Sequence, residues 1–277
     1  MYRKLWQKIH SSVALINFYS DHSIKTKSFT GFKVGKYLIT DTCLNNISNY
    51  KTVEIKFVQK DGNAELASKK LSKDEFLKNT ISNPDIKEGN GICAIKIDYE
   101  QFKAIPSLEM EDSNEVNIGD NIISLGYELS QKNLSMTPGI VSSFYYHKNQ
   151  KYIQFDATVK QGYAGSPLIN ADTGKVIGVI GYRLAEITHS HNKLESLINN
   201  NLHILKQYQG RHNIDDLDPI QVLIASQNQI KYIAKEIYNS TNTRLGYALP
   251  INEVIHFFKK NIILEEIKPS DTALVIL

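Results

Sequence analysis

Few side chains in this 277-residue chain stand in patterns that chemistry requires. Cys43 and Cys93 are the two thiols. A thiol becomes a nucleophile only beside a base that takes its proton, and no histidine lies near Cys43 in the sequence. Cys43 therefore reads as a partly buried filler, and Cys93 as a core residue on a buried strand. His189 and His191 form an HxH pair, with His203 and His212 farther along. Zinc takes three or four converging ligands. No cysteine accompanies these histidines, so they read as exposed loop residues. Neither a metal nor a cofactor is expected. The run Gly162-Tyr163-Ala164-Gly165-Ser166-Pro167 is a turn of mostly small residues between two strand-like stretches, and Ser166 is its aliphatic hydroxyl.

Two kinds of pattern would position these residues. Across 11–185 the chain shows short β-branched and aromatic runs punctuated by Gly, Asn and Asp. Examples are 11–19, 35–40, 52–58, 91–97, 121–127, 139–146, 151–159 and 175–182. Many strands with few helices between them predict an antiparallel barrel or sandwich. The polar, Pro-bearing segment 105–117 reads as a linker between an N-terminal barrel, 1–104, and a C-terminal one, 118–277. Across 186–242 the language is helical. Leu194, Leu197, Ile198, Leu202 and Leu205 fall on one helical face. A second helix starts at Asp218-Pro219, with Asp as cap and Gln221 where a capping-box partner sits. Leu223, Ile230, Ile233, Ala234 and Ile237 continue its stripe. Strand pattern returns at 245–250, and Asn252 is expected to cap a last helix.

Composition excludes several classes. Hydrophobic residues make up 42% and charged residues 22%, the balance of a globular domain. A net charge of +3 is mild, and no basic–aromatic interleaving marks a nucleic-acid groove. No run is long enough to span a membrane. The N-terminal SSVALINFY reads as a first strand, not a signal peptide. Two unpaired cysteines suit a reducing compartment, so a cytoplasmic location is expected. The apolar end Ala273-Leu274-Val275-Ile276-Leu277 reads as a docked last strand.

Three segments together resemble the HtrA-type trypsin-like serine proteases. One is VNIGDNIISLGYEL followed by MTPGIVSSFYY. Another is YIQFDATVKQGYAGSPLINADTGKVIGVIGY, similar to the strand–loop–strand around the family's Gly-Asn-Ser-Gly-Gly-Pro-Leu. The last is LGYALPINEVIHFF. The resemblance implies two antiparallel β-barrels of the chymotrypsin type, with a helical insertion at 186–242 in the second and a C-terminal helix. It leaves no room for a following PDZ domain.

The same resemblance assigns the triad positions. Serine protease chemistry needs a serine to attack, a histidine to take its proton and an aspartate to hold that histidine. The nucleophile position falls on Ala164, the histidine position on Cys43 and the aspartate position on Gly91. Ser166 falls where the family has glycine, in backbone that turns away from the cleft. Gly162, Tyr163 and Ala164 mark the remnant of the oxyanion hole; Gly162 fits either that pocket or a tight turn, and Tyr163 is placed to plug the cleft. Gly181, Tyr182 and Arg183 would line the groove where a peptide adds as a strand.

The expected function is a catalytically inactive protease homologue that binds a protein or peptide. The alternatives are a protease with a rearranged site, or one engineered from Ser to Ala, and a structural subunit joined to copies or other proteins through 186–242.

Overall fold

A computed structural model describes all residues except 22, 43, 45–46, 83–90, 129–131, 148–149, 160–161, 182–185, 212–217, 241–242 and 262–277. The chain divides into two compact units, Met1–Tyr182 with Thr243–Leu277, and Arg183–Asn242.

The first unit is mostly β and holds two antiparallel sheets. Strands β1 (Val13–Tyr19), β2 (Lys25–Val34), β3 (Tyr37–Asp41), β4 (Thr52–Val58), β5 (Glu65–Ser72), β6 (Thr80–Ser82) and β7 (Ile92–Lys96) form a seven-stranded sheet. Its order is β5-β4-β1-β2-β3-β7-β6. Central β1 reads VALINFY because both of its faces are covered, while β4, TVEIKFV, alternates buried and half-buried positions. Phe18 anchors the interior, with edge-on contacts to Phe29, Tyr50 and Phe76 at ring distances of 5.9, 4.9 and 5.5 Å.

Strands β8 (Asn121–Tyr127), β9 (Leu134–His147), β10 (Gln150–Val159), β11 (Pro167–Asn170), β12 (Val176–Ile180) and β13 (Thr243–Pro250) make the second sheet. It closes into a barrel in the order β10-β13-β12-β11-β8-β9. Of the two expected barrels, this one is closed. The first is a half-barrel, with β5 and β6 at its two ends among the described residues. Ile122, Ile153, Phe155, Leu168 and Ile177 fill the closed barrel.

Three features depart from the sequence reading. The basic N-terminus is a helix, α1 (Tyr2–Ile9), which buries Leu5 and Ile9. Its Trp6 Nε1 donates to the Lys60 carbonyl at 2.7 Å. A short helix, α2 (Lys73–Lys78), follows β5; the Ser72 hydroxyl caps it by accepting from the Glu75 amide at 3.2 Å. The last helix, α5 (Ile251–Asn261), begins one residue before Asn252. Asn252 does not cap it: its side chain accepts from the Ser113 amide at 3.2 Å and donates to Asp112 at 2.7 Å. That bond is the main reason the Asp112 carboxyl titrates below its usual range. A capping residue's local preference yields here to a polar partner brought in by the fold.

The segment between the sheets is stitched to both. The Leu108 amide donates to the Lys33 carbonyl of β2 at 2.9 Å, and Glu109 and Glu111 exchange backbone bonds with Val176 of β12. Buried Lys33 donates from Nζ to the Ile105 carbonyl at 2.5 Å, and its burial lowers the ammonium pKa.

The second unit holds the two predicted helices, α3 (Glu186–Tyr208) and α4 (Pro219–Ser240). They run antiparallel, since Lys231 reaches Asn199 at 2.7 Å and Asn201 reaches Gln227 at 3.4 Å. Asp218 caps α4 as expected: one carboxylate oxygen accepts from the Ile220 amide at 2.9 Å. The other accepts from the Gly210 amide at 2.8 Å and closes the turn.

Candidate functional site: the loop between the third and fourth barrel strands

The loop Gly162–Ser166 joins β10 to β11 and lies against the first sheet. Its path needs two residues with positive φ, Gly162 at 101° and Gly165 at 84°. Gly165 has a second reason to lack a side chain. A Cβ there would run into Thr40 Oγ1 and the Thr30 carbonyl. The loop is pinned at its carbonyls. The Thr30 amide donates to the Ala164 carbonyl at 3.2 Å, and the Thr30 hydroxyl to the Gly162 carbonyl at 2.7 Å. Toward the barrel, the Gly165 amide donates to the Ile180 carbonyl at 2.8 Å and the Ile180 amide to the Ser166 carbonyl at 2.8 Å.

Thr30 is the organising residue, and the sequence reading passed over it. It is fully buried. Its hydroxyl also accepts from the Tyr127 amide at 3.0 Å, and its carbonyl accepts from the Thr40 hydroxyl at 2.7 Å. One side chain thereby joins β2, β8 and the loop. A hydroxyl between Phe29 and Phe32 was the available signal: it needs a partner once buried.

Ala164 is 8% exposed, and its methyl belongs to the apolar cluster of the first sheet. The position assigned to the nucleophile is thus occupied by a packed methyl group. Gly91 is buried at the approach to β7. Its amide donates to the Thr42 hydroxyl at 3.1 Å and its carbonyl accepts from the Thr42 amide at 3.2 Å. No carboxylate stands at this position. Cys43 lies outside the described residues, as do Tyr182 and Arg183 of the expected groove and His212.

Two neighbours refine the picture. Tyr163 does not plug the cleft. Its ring enters the closed barrel, is 1% exposed and rests where Gly126 leaves room. Its hydroxyl shares a 2.6 Å hydrogen bond with Ser135. With Gly162 and Gly165 at positive φ, the chain reverses within the loop, so that Tyr163 packs in the barrel and the next residue, Ala164, on the first sheet. Ser166 is fully buried, and its hydroxyl has no hydrogen-bond partner among the described residues. It abuts the Gly126 backbone, where an added Cβ would lie 2.5 Å from its Oγ.

Cys93 pairs with Thr40 across β3 and β7 and is fully buried. Burial, and then the charge of Asp41, push its thiol well above the usual range. It is a core residue and not a thiolate. Asp41, buried at the end of β3, was not singled out from sequence, where Asp after a strand reads as a turn residue. Gly181 follows β12, and its amide donates to the Tyr247 carbonyl of β13 at 3.1 Å. Among the described residues no group of three or more His, Cys, Asp or Glu converges as metal ligands would. None of the described helices is long and apolar enough to cross a membrane.

Residues 29–179 match the family of the trypsin-like peptidase domain. The chain belongs to this family. A probable periplasmic serine endoprotease, DegP-like, of Rickettsia conorii is 28% identical over 161 residues, covering 54% of this chain and 27% of that protein. Human serine protease HTRA4 is 33% identical over 103 residues, covering 34% and 21%. The chain thus spans about a quarter of the length of these relatives. A solved structure of an HtrA-type protease, an AlgW variant with tripeptide, shares the fold. It superposes with a TM-score of 0.58 at 14% identity, covering 96% of this chain and 65% of that one. The chain is thus a trypsin-like peptidase-domain homologue, similar in sequence to HtrA and DegP-like serine proteases.

Proposed function

We propose that this chain is a catalytically inactive member of its family that holds an extended protein or peptide segment without cutting it. The observation that carries the reading is position 164, where a methyl group packs into the first sheet's core. Gly91 adds to it, since no carboxylate stands ready to orient a base. Ser166, two residues on, is enclosed between Gly126 and Tyr163 and has no route to a substrate carbonyl. Loss of a single triad member removes on the order of 10⁴-fold or more of the rate.

Strand β12 is itself paired on both sides, by β11 and β13, so an extended segment that adds through main-chain hydrogen bonds would do so just beyond its end, along Gly181, Tyr182 and Arg183. The test has two arms. The unmodified chain should release no fragments from an unfolded protein substrate, and neither should Ala164→Ser. Turnover by the unmodified chain that disappears on Cys43→Ser or Ser166→Ala would overturn the inactive reading. For binding, a peptide library screened by fluorescence anisotropy should yield ligands whose affinity is lost in Gly181→Trp. Ligands that bind Gly181→Trp equally well would move the site elsewhere.

A further inference from the structure

The α3–α4 hairpin carries more apolar surface than its own packing uses. Ile198 and Leu202 are buried inside it, and Ile220, Ile224 and Ala234 are half-buried on the facing side of α4. A second stripe runs beside this inner one on each helix. On α3 it is Leu194, Leu197, Asn201, Ile204 and Tyr208; on α4 it is Leu223, Ser226, Ile230, Ile233 and Ile237. Both stripes step by three and four residues alternately, the spacing of a helix–helix seam. Neither contains a charge. Their eight large apolar side chains are 40–57% exposed.

The two stripes share one face. At about 100° per residue, each lies roughly a quarter-turn from its helix's inner face, displaced in the same rotational sense. Because the helices are antiparallel, the same sense brings both stripes to the same side of the hairpin. The bonds from Lys231 to Asn199 and Glu195 mark a different, polar side, while Asn201, within the stripe, reaches Gln227 of its own hairpin.

We propose that this face is a self-association surface on which two copies of the chain pair, hairpin on hairpin, as a four-helix bundle. Three properties select a second copy as the occupant. First, each stripe is spaced almost symmetrically about its centre, Asn201 on α3 and Ile230 on α4, with Ser226 against Ile233 as the polar exception off the centres, and the Lys231–Asn199 bond places those centres level. A two-fold axis crossing the hairpin at that level lays apolar stripe on apolar stripe, each helix against its antiparallel copy, which is an isologous contact. Second, the area fits. Eight half-exposed side chains offer on the order of 700–800 Å² per copy, close to the ~800 Å² that each side of a standard stable interface contributes. Third, the stripes hold no charge by which a different partner would be steered and selected. Asn201, polar and near the axis, fixes the register, as a lone Asn does in a helical seam.

Sedimentation velocity on the full chain at tens of micromolar tests this. The expected mass is twice 31.4 kDa, falling to a single chain in Ile230→Glu with the circular dichroism unchanged. Ser196→Glu, on the opposite face, should stay dimeric. Should Ile230→Glu fail to fold, crosslinking decides. Asn201→Cys treated with a short bismaleimide should give a covalent dimer above the level of the unmodified chain, and Ser196→Cys should not. A monomeric unmodified chain, whether because the face meets another protein or this chain's own sheets, overturns the proposal. So does a dimer that survives Ile230→Glu, or equal crosslinking from both cysteine positions.

Discussion

The loop at 162–166 and the α3–α4 hairpin hold their shapes by opposite means. The loop is five residues of little intrinsic preference. Partners far along the chain fix its course: Thr30 sits 132 residues from Gly162 and 97 from Tyr127. The hairpin is held by itself, through seams spaced at three and four residues, polar bonds between its two helices and one that closes its turn. A methyl at position 164 leaves the loop's pinning bonds in place, because they run from its amides and carbonyls to Thr30 and Ile180 and not through the side chain at 164. A nucleophile can therefore be absent while the surrounding form persists. The hairpin has no such separation: the side chains that shape it also make its surface.

Gly165→Val should test that contrast most severely. It adds a β-branched side chain at positive φ, directly against Thr40 and Thr30. A cost of about 4 kcal/mol or more is expected, read as loss of soluble folded protein or a collapse of the urea midpoint. A fully stable Gly165→Val would mean the loop is not pinned by the first sheet. Thr30→Val comes next. It keeps the shape but strands the Gly162 carbonyl and the Tyr127 amide without their hydroxyl partner. About 2–4 kcal/mol should be lost, measured by urea unfolding; a loss under 0.5 kcal/mol would remove Thr30 from its organising role.

A smaller effect concerns alkaline pH. Tyr19 and Tyr99 are pushed up from 10.0 to about 12, first by burial and then by hydrogen bonds to Glu54 and Glu75. The folded state therefore holds phenolic protons that the unfolded chain releases near pH 10. Their stabilisation is complete below pH 10 and is lost as pH rises toward 12. The urea midpoint should fall across that window, and less steeply in the Tyr19→Phe, Tyr99→Phe double variant. Equal slopes would exclude these two groups. The smallest effect should follow replacement of residues 183–242 by a short Gly-Ser linker. Strands β12 and β13 are adjacent and antiparallel, pairing Ile180 with Ala248, so a short loop spans them. A melting shift below about 3 °C is expected; an unfolded product would show that the hairpin is part of the sheets' core.

Much of the architecture was legible in the chain. Strand runs, the two long helices and the Asp218 cap announce themselves through local period and turn chemistry, which act over a few residues. The open edge of the first sheet was not legible, because closure depends on which strands meet. The helix stripes were legible only in part. Leu194, Leu197, Ile198 and Leu202 read as a single face, but packing against α4 buries Ile198 and Leu202 and leaves Leu194 and Leu197 exposed. One neighbouring helix covers less than the full width of an apolar face.

The candidate site divides along the same line. That position 164 carries a methyl and position 91 no side chain is written in the sequence itself, and folding cannot change it. Where Tyr163 points, that Ser166 is enclosed and that Thr30 ties the loop to both sheets were decided by tertiary structure alone. Each depends on groups between 28 and 132 residues away, Ser135 for Tyr163 and Gly162 for Thr30. A residue type fixes which bonds a side chain is able to make. Only the packed fold fixes which partners come within reach and which are shut off from water.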